Sequence, residues 1–498
     1  KMTDGQLGKL ASTSFQGQNE MQKLVHDAFV EFMDWNGLFS FRESAAAKME
    51  NDVLDICIDI LNGGEAARAN LTVGGTESNF SGLHAMRGWA RATKPHIKQP
   101  EIVAPYSTHS TVHKTAKYLD IKVVTVPQKD GLSVDIEGIR EAIGPNTIGI
   151  VGSAPNWPYG TVDPIEEFGQ IVIKADLWLH VDACVGGYIL PFFRDLGVEL
   201  PFYDFTVPGV RSISADLHKY GYAPKPCSTI LWRSQGEQQY HFMPINEWAC
   251  GTYLSQGFVG SRTMGPIAGI WALMHFWGRE GYLENAKSIL RLKSIIVRKV
   301  ESIEGLVAWK TDGPLQMIGA DDFDITLVVG GLEKKGWSLL GVNVPPAIHL
   351  TLDVMEEEFI EKLSGYKVLD NLSLQFYLYE AYLKNPPSQV DSFEKFMSWS
   401  SMLLHDFNEV DRNLVEAKDI FSNLKEVKQL ENWDLEDWSF TSEPLTQSQE
   451  NYVTFYSQIY QWYCNFNSLL SDKKLSYQGM AYRKVSCEME ELSLDWSK

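Results

Sequence analysis

The chain has 498 residues, of which 44% are apolar and 12% aromatic, and it carries a formal charge of −20. This composition indicates a large buried core and argues against global disorder, and the acidic balance argues against a broad basic face for nucleic acid. No apolar stretch approaches the roughly 20 residues that cross a bilayer. The six cysteines form no CxxC pair and no zinc-finger spacing, so we expect reduced thiols, no metal site and a soluble cytoplasmic protein.

The first 353 residues alternate helix-like and strand-like segments. The predicted helices cover 20–35, 49–61, the segment from Gly74 to about 93, and 109–119. The predicted strands cover 101–104, 122–126, 147–152 and 177–182. Short apolar runs separated by helices predict a mainly parallel sheet with helices on both faces, which is an α/β fold.

Glycine divides the chain into two parts. Of 39 glycines, only Gly365 and Gly479 lie beyond residue 353. An α/β enzyme uses glycine at turns and ligand loops, whereas a helical region needs little of it. We therefore expect a boundary near residues 350–365 and a helical region over 354–498.

Two charged residues follow predicted strands at the places where ligands bind. Asp182 ends a buried strand, where a carboxylate needs a partner such as a protonated ring nitrogen. Lys219 lies 37 residues later, after a strand and a polar turn. An amine so placed can form a Schiff base. Taken singly, Asp182 also fits a helix cap or a solvated strand end, and Lys219 a surface lysine.

Three further motifs have both a ligand-binding and a structural interpretation. The run GGTES, residues 74–78, fits a single phosphate at a helix N-terminus, or an ordinary N-cap. His109 opens a predicted helix, where its ring could stack on a ligand or cap the helix. The loop 152–164 is fixed by prolines after a strand, a common ligand-binding position.

The chain resembles the group II pyridoxal-5′-phosphate (PLP)-dependent decarboxylase superfamily in the order of five features: GGTES, His109, SAPNWPYGTVDP, HVDAC and SISADLHKYGYAPK. Within it, the sphingosine-1-phosphate lyases are most similar, and the resemblance covers about residues 8–353. It implies a fold-type I (aspartate aminotransferase-like) large domain with a mainly parallel seven-stranded sheet. The expected parts are an N-terminal helical segment (1–60), the PLP-binding large domain (61–290), the start of a small C-terminal domain (291–353) and a helical region of different origin (354–498).

The resemblance also implies roles for individual residues. Lys219 would carry PLP as a Schiff base, Asp182 would pair with the pyridine nitrogen, and His109 would stack on the ring. The remaining residues expected to bind the cofactor are Gly75, Thr76, Asn156, His218, Gly260 and Ser261. In this family Gly260 and Ser261 would reach the phosphate of the other subunit, which implies a homodimer. Lys225 and Tyr253 would line the substrate side.

The segment before the second predicted helix departs from the family pattern. The lyases carry a sequence like NPLHPD, whereas this chain has NGLFSF over 36–41, so that Phe39 replaces a histidine near the substrate phosphate. Two reactions on a small-molecule amine therefore stay open. The first is retro-aldol cleavage of a sphingosine-1-phosphate-like substrate to an aldehyde and phosphoethanolamine. The second is decarboxylation of an L-amino acid.

The region 354–498 resembles a different family. Residues 359–366, 399–412 and 477–482 are similar to the N-terminal region of bacterial PD-(D/E)XK helicase–nuclease repair proteins. The region contains no Walker A motif, and we assign it no catalysis. A helical extension that packs on the enzyme is the alternative interpretation, and a non-catalytic fusion or a DNA-repair-associated binding protein is the alternative for the whole chain.

Overall fold

The computed structural model describes residues 15, 19–39, 45–129, 132–254, 257–303, 305–321, 325, 328–329 and 339–354. The described residues up to 321 and from 339 onward belong to one compact unit, and residues 325 and 328–329 belong to a second. The predicted helical region 354–498 lies outside the described residues except for Val354. No helix in the described part is both long and apolar enough to span a lipid bilayer.

Nine α-helices and eleven β-strands are present in the described ranges. The helices are α1 (Asn19–Phe32), α2 (Ala45–Ile60), α3 (Gly75–Thr93), α4 (Ser110–Tyr118), α5 (Ile136–Glu141), α6 (Ile165–Ala175), α7 (Leu190–Asp195), α8 (Gln235–Gln238) and α9 (Gly265–Glu301). The strands are β1 (Arg68–Thr72), β2 (Glu101–Pro105), β3 (Lys122–Val126), β4 (Thr147–Ser153), β5 (Trp178–Asp182), β6 (Val210–Ala215), β7 (Ser228–Trp232), β8 (Leu306–Ala308), β9 (Leu315–Ala320), β10 (Leu340–Asn343) and β11 (Pro346–Thr351).

The main sheet has seven strands in the order β1-β7-β6-β5-β4-β2-β3. Strands β3, β2, β4, β5 and β6 are mutually parallel, whereas β7 pairs antiparallel with both β6 and β1. Every residue of β4, β5 and β7 is buried. A strand covered on both faces by helices must be apolar throughout, which explains the continuous apolar runs in the sequence. The predicted mainly parallel seven-stranded sheet is confirmed.

The predicted elements of the large sheet are present with small shifts of their ends. Strand β3 has the predicted bounds, and β2, β4 and β5 differ from prediction by one residue at an end. The predicted helix from 109 begins at Ser110, with His109 as its N-cap. Strands β1 and β7 and the segment α9 were not predicted from the sequence. The segment α9 consists of two helical stretches that meet at a kink at Gly278. The domain boundary predicted at residue 290 falls inside α9.

A second, four-stranded sheet follows α9. It is antiparallel throughout, in the order β10-β11-β9-β8. It lies in the range 291–353, where the sequence analysis expected the start of a small domain. Strands β9 and β11 contribute buried side chains, among them Met317 and Ile348.

The loop between β4 and α6 makes contacts with the small sheet and the segment before it. The Val162 N–H donates to Asp312 at 2.8 Å, and the Tyr159 hydroxyl donates to the carbonyl of Val344. The indole ring of Trp157 lies 4.6 Å from the imidazole of His349, centroid to centroid. This loop therefore joins the carboxyl ends of the large-sheet strands to the small sheet.

Candidate active site

One large cavity, of about 810 Å³, lies at the carboxyl-terminal edge of the parallel strands. Ser153 and Asp182 reach it from the last positions of β4 and β5, and Asp216 and Lys219 reach it from the turn after β6. Parallel strands end at the same sheet edge, so the topology itself brings these side chains together. The other lining residues are Val73, Gly74, Gly75, Thr76, Glu77, Asn79, Phe80, His109, Thr111, Lys114, Thr115, Tyr118, Pro155, Trp157, Cys184, Val185, His218 and Phe258.

Lys219 is paired with a carboxylate that the sequence analysis did not single out. Its Nζ lies 3.0 Å from Oδ2 of Asp216, whose side chain is 2% exposed. Burial is the largest single influence and lowers the pKa of the lysine, but the nearby negative groups, of which Asp216 is the largest, together raise it above its ordinary value. The signal in the sequence is a carboxylate three residues before the lysine, at the end of a buried strand.

Asp182 is a buried, ionised acceptor at the cavity wall. Its Oδ2 accepts a hydrogen bond from Asn79 at 3.0 Å, and its Oδ1 accepts one from the N–H of Cys184 at 3.1 Å. Burial favours the neutral acid, but hydrogen bonds from Cys184 and the nearby charges of His109 and Lys219 lower the pKa overall. An ionised carboxylate here provides a partner for a cationic ring nitrogen.

Asn79 is the second residue that the sequence analysis missed. Its side chain is 1% exposed and connects three elements, since it donates to Asp182 and accepts from His180 at 2.9 Å and from Ser214 at 3.0 Å. Burial lowers the pKa of His180 to about 4, which keeps this imidazole neutral. Asn79 therefore fixes the orientation of Asp182. A polar residue on the buried face of α3 is the sequence signal.

The first turn of α3 forms the wall of the cavity where the sequence predicts phosphate binding. Gly74 has φ +142°, a conformation that favours glycine, and a Cβ at Gly75 would lie 2.8 Å from both carboxylate oxygens of Asp216. The opening N–H groups of a helix lack helical acceptors, so those of Gly75 and Thr76 are available to an anion. His218 lines the same wall, with its Cε1 3.6 Å from the position of a Cβ on Gly74.

Glu77 connects this turn to the segment that carries Phe258. Its Oε2 accepts from the N–H of Val73 at 2.6 Å, and its Oε1 accepts from the N–H of Phe258 at 2.7 Å. The Phe258 ring then packs edge to face on Phe80 at 5.3 Å. One carboxylate in the first helical turn thereby holds an aromatic side chain against the cavity.

His109 caps its helix, which is one of the two roles that the sequence allowed, and its stacking on a ligand stays a prediction. It is the N-cap of α4, where its Nδ1 accepts from the N–H of Thr111 at 3.2 Å. It also lines the cavity, as Asp182 does. The capping bond fixes the ring plane, which suits a side chain that stacks on a flat ligand.

Comparison with known proteins agrees with this geometry. The model of the pyridoxal-dependent decarboxylase conserved domain matches residues 11–305. The chain belongs to this family. It is 38% identical over 370 residues to a sphingosine-1-phosphate lyase of Oryza sativa subsp. japonica, covering 72% of this chain and 68% of the relative. It is 33% identical over 351 residues to a "probable L-tyrosine/L-aspartate decarboxylase" of Methanothermobacter thermautotrophicus, covering 67% of this chain and 90% of the relative.

A solved sphingosine-1-phosphate lyase of Burkholderia pseudomallei has a TM-score of 0.70 and 31% identity, covering 76% of this chain and 91% of that one. Against the lyases of Arabidopsis thaliana and Rattus norvegicus, the match spans 66% and 62% of the relative's length. The predictions of the superfamily and of a PLP-dependent lyase are confirmed at the level of the family. The resemblance of residues 354–498 to helicase–nuclease proteins is not supported by any of these matches.

The family implies PLP as cofactor, and the residues of the cavity fit it. Lys219 supplies an amine, Asp182 an ionised carboxylate, and the first turn of α3 a set of N–H groups beside a glycine that cannot carry a Cβ. The hydroxyl of Ser153 is buried, lines the cavity and has no hydrogen-bond partner among the described residues. A polar ligand in the cavity would satisfy it.

Five residues expected at the site do not line the cavity of a single chain. Asn156 is taken up by its own loop, since its amide donates to Thr161 and Asp163 and its Oδ1 accepts from the N–H of Tyr159. The other four residues are Lys225, Tyr253, Gly260 and Ser261. A role for Gly260 and Ser261 at the partner's cofactor phosphate, and one for Lys225 and Tyr253 on the substrate side, stay predictions.

Asp163 gives the fold a pH dependence in the same loop. It is 1% exposed, accepts from the N–H of Ser153 at 2.8 Å, and burial raises its pKa from 3.8 to about 7. Between these two pKa values the folded state keeps a proton that the unfolded chain releases. The proton on Asp163 therefore stabilises the fold fully below about pH 4, and this stabilisation is lost as the pH rises through about 7.

We expect a Tm that falls less over pH 4–7 in Asp163→Asn than in the wild type. Parallel Tm curves from calorimetry would contradict this.

Proposed function

We propose that the enzyme cleaves a phosphorylated long-chain amino alcohol, of the sphingosine-1-phosphate type, between Cα and Cβ. The products are a long-chain aldehyde and phosphoethanolamine. The observation that carries the proposal is the cavity, where an amine, an ionised carboxylate and an imidazole converge beside an exposed aromatic rim. Phe258 is 74% exposed and Tyr118 is 71% exposed, and both line the cavity. Such a rim suits an aliphatic chain that extends toward solvent.

The cavity residues have distinct tasks. When bound, PLP supplies an electrophilic aldehyde and an electron sink. Lys219 would hold it covalently, Asp182 would face the ring nitrogen, and Gly75 and Thr76 would bind the phosphate with their N–H groups. Asp182 keeps its charge because Asn79 and the N–H of Cys184 donate to it. A charged Asp182 keeps the ring nitrogen protonated.

The two candidate reactions differ in their proton requirements. Retro-aldol cleavage needs a base for the hydroxyl proton on Cβ, whereas loss of CO₂ does not. The imidazoles of His109 and His218 line the cavity, and a neutral imidazole can accept a proton. Lys114 lines the same cavity and provides a cation for a substrate phosphate. The structure thus offers both a base and a phosphate-binding cation to a lyase.

The second candidate is an L-amino-acid decarboxylase. The coverage of 90% of the archaeal relative favours it. A decarboxylase needs a group that holds the α-carboxylate, and arginine is the usual choice. None of the described residues that line the cavity is arginine. Because none of these lining residues is arginine, we favour the lyase over the decarboxylase.

A product assay on the purified, PLP-loaded full chain distinguishes the two reactions. Sphingosine-1-phosphate is offered beside a panel of L-amino acids, and both aldehyde and CO₂ are measured. We expect aldehyde without CO₂, which would also show that Phe39 is tolerated. Release of CO₂ from an amino acid, with no aldehyde, would replace the lyase with the decarboxylase.

We also propose a homodimer with shared active sites, in which Gly260 and Ser261 serve the partner's cofactor phosphate. The support is the family resemblance and the position of both residues outside the cavity of their own chain. Light scattering of the full chain tests the dimer. Mixing inactive Lys219→Ala with an inactive Ser261→Tyr chain tests the sharing, since hybrid dimers would contain one intact site. No recovery of activity in exchanged dimers would refute it.

The cytoplasmic location of the chain stays a prediction. The similarity of residues 354–498 to helicase–nuclease proteins also stays a prediction, and DNA binding by the full chain, measured between 50 and 200 mM salt, tests it. A strong loss of affinity with salt would support a binding role, because phosphate contacts release counterions. Absence of binding would leave a helical extension of the enzyme.

A further inference from the structure

We propose that Asp216 is a positioning residue that holds the Lys219 amine as an ammonium in the cofactor-free enzyme and takes its proton when the cofactor is captured. This inference uses the PLP assignment but not the choice of substrate. Transfer of one proton from Nζ to Oδ2 converts the ion pair into a neutral amine and a neutral acid. Condensation of the amine with the aldehyde then forms one C=N bond and releases one water, which carries the aldehyde oxygen and two amine hydrogens.

The geometry already matches a proton transfer. Nζ of Lys219 and Oδ2 of Asp216 are 3.0 Å apart, on the same turn after β6. Asp216 is the one carboxylate within 4.0 Å of this amine among the described residues. The carboxylate lies close to Gly75, where a Cβ would lie 2.8 Å from both of its oxygens. A residue other than glycine at position 75 would therefore displace the carboxylate from the amine.

Buried hydroxyls support the other oxygen of Asp216. Ser228 donates to Oδ1. Ser228 lies 2.8 Å from the hydroxyl of Ser78, which lies 2.6 Å from that of Thr72. With Ser228 donating to the carboxylate, the chain of hydroxyls points its donors toward Asp216. These dipoles stabilise the charged carboxylate.

Other ionisable groups also surround the amine. His218 lies on the same turn, with its Nε2 3.6 Å from Asp216, and Lys225 follows in the next loop. Asp182 and Cys184 face the amine from the end of β5. Burial acts to lower the pKa of Lys219, and Asp216 is the largest of the charges that raise it. Without Asp216, only the smaller influences of Cys184 and Asp182 oppose burial, so more of the amine is neutral near pH 8.

The test measures the amine directly in cofactor-free protein. Wild type and Asp216→Asn are labelled with trace acetic anhydride over pH 6–11, and acetylation of Lys219 is quantified by peptide mass spectrometry. Exposed Lys117 on α4 is the internal reference. We expect labelling of Lys219 at pH 8 to rise on the order of tenfold in Asp216→Asn, which is a shift of about one pKa unit. Lys117 should not change.

Cofactor capture provides the second readout. We expect the rate of PLP capture by the wild type to rise with pH, because the ammonium must lose its proton, and the rate in Asp216→Asn to depend less on pH. Identical labelling and capture profiles in both proteins would overturn the proposal. Asp216→Ser, which keeps a small neutral polar side chain, takes the same tests if Asp216→Asn does not fold. No substrate is involved, so these results stand apart from those of the product assay.

Discussion

Lys219→Ala is expected to abolish turnover, by on the order of 10⁴-fold or more, and to abolish the visible absorbance of bound PLP. The amine of Lys219 would hold the cofactor covalently, and its Nζ lies beside Asp216 at 3.0 Å. Absorbance spectra of the reconstituted protein and a single-turnover assay give the two readouts. Folding is checked by the melting temperature.

Lys117→Ala is the matched control for this substitution. Lys117 is exposed on the last turn of α4 and does not line the cavity. It should keep both the spectrum and the activity. An unchanged visible spectrum in Lys219→Ala would refute the assignment of the cofactor-binding lysine and with it the active site.

Asp182→Asn is expected to lower kcat on the order of 10³-fold while the cofactor stays bound through Lys219. The amide has the shape of the carboxylate, and its oxygen can still accept a hydrogen bond from Asn79 or from the N–H of Cys184, although not from both. It has no charge to keep the ring nitrogen protonated, so the electron sink is weakened. The measurements are kcat and the affinity for PLP by fluorescence titration.

Asp195→Asn, on the exposed end of α7, is the control and should leave both values unchanged. A variant Asp182→Asn that keeps more than about a tenth of the wild-type kcat would contradict the role of the carboxylate. A loss of PLP affinity equal to the loss of kcat would instead make Asp182 a binding residue.

The parallel part of the fold follows directly from the sequence. Strands β2 to β5 are short apolar runs, and β5 reads from Trp178 to Asp182 with every residue buried. Strand β1 was missed because its buried positions include Asn70 and Thr72. Asn70 is acceptable there because it accepts a hydrogen bond from the indole of Trp232 in β7. Such a pairing exists only after the two strands have met.

The residues of the site likewise divide into those that the sequence predicts and those that it does not. The lysine and the strand-end carboxylate are predictable, since each follows a recognisable strand. Asn79 and Asp216 are not, because their importance depends on contacts with His180 and with Lys219 that the folded chain creates. A helical residue and a turn residue carry no mark of these partners in the sequence.

The loop between β4 and α6, which joins the two sheets, makes the active site depend on residues beyond the matched family domain. The matched family domain stops at residue 305, before any strand of the small sheet. Yet Trp157, which forms one wall of the cavity, rests on His349, and its loop is fastened by Asp312. A chain cut at the end of the family domain would keep Lys219 and Asp182 and still lose the support of that wall. The working catalytic unit is thus longer than the stretch by which the family is recognised.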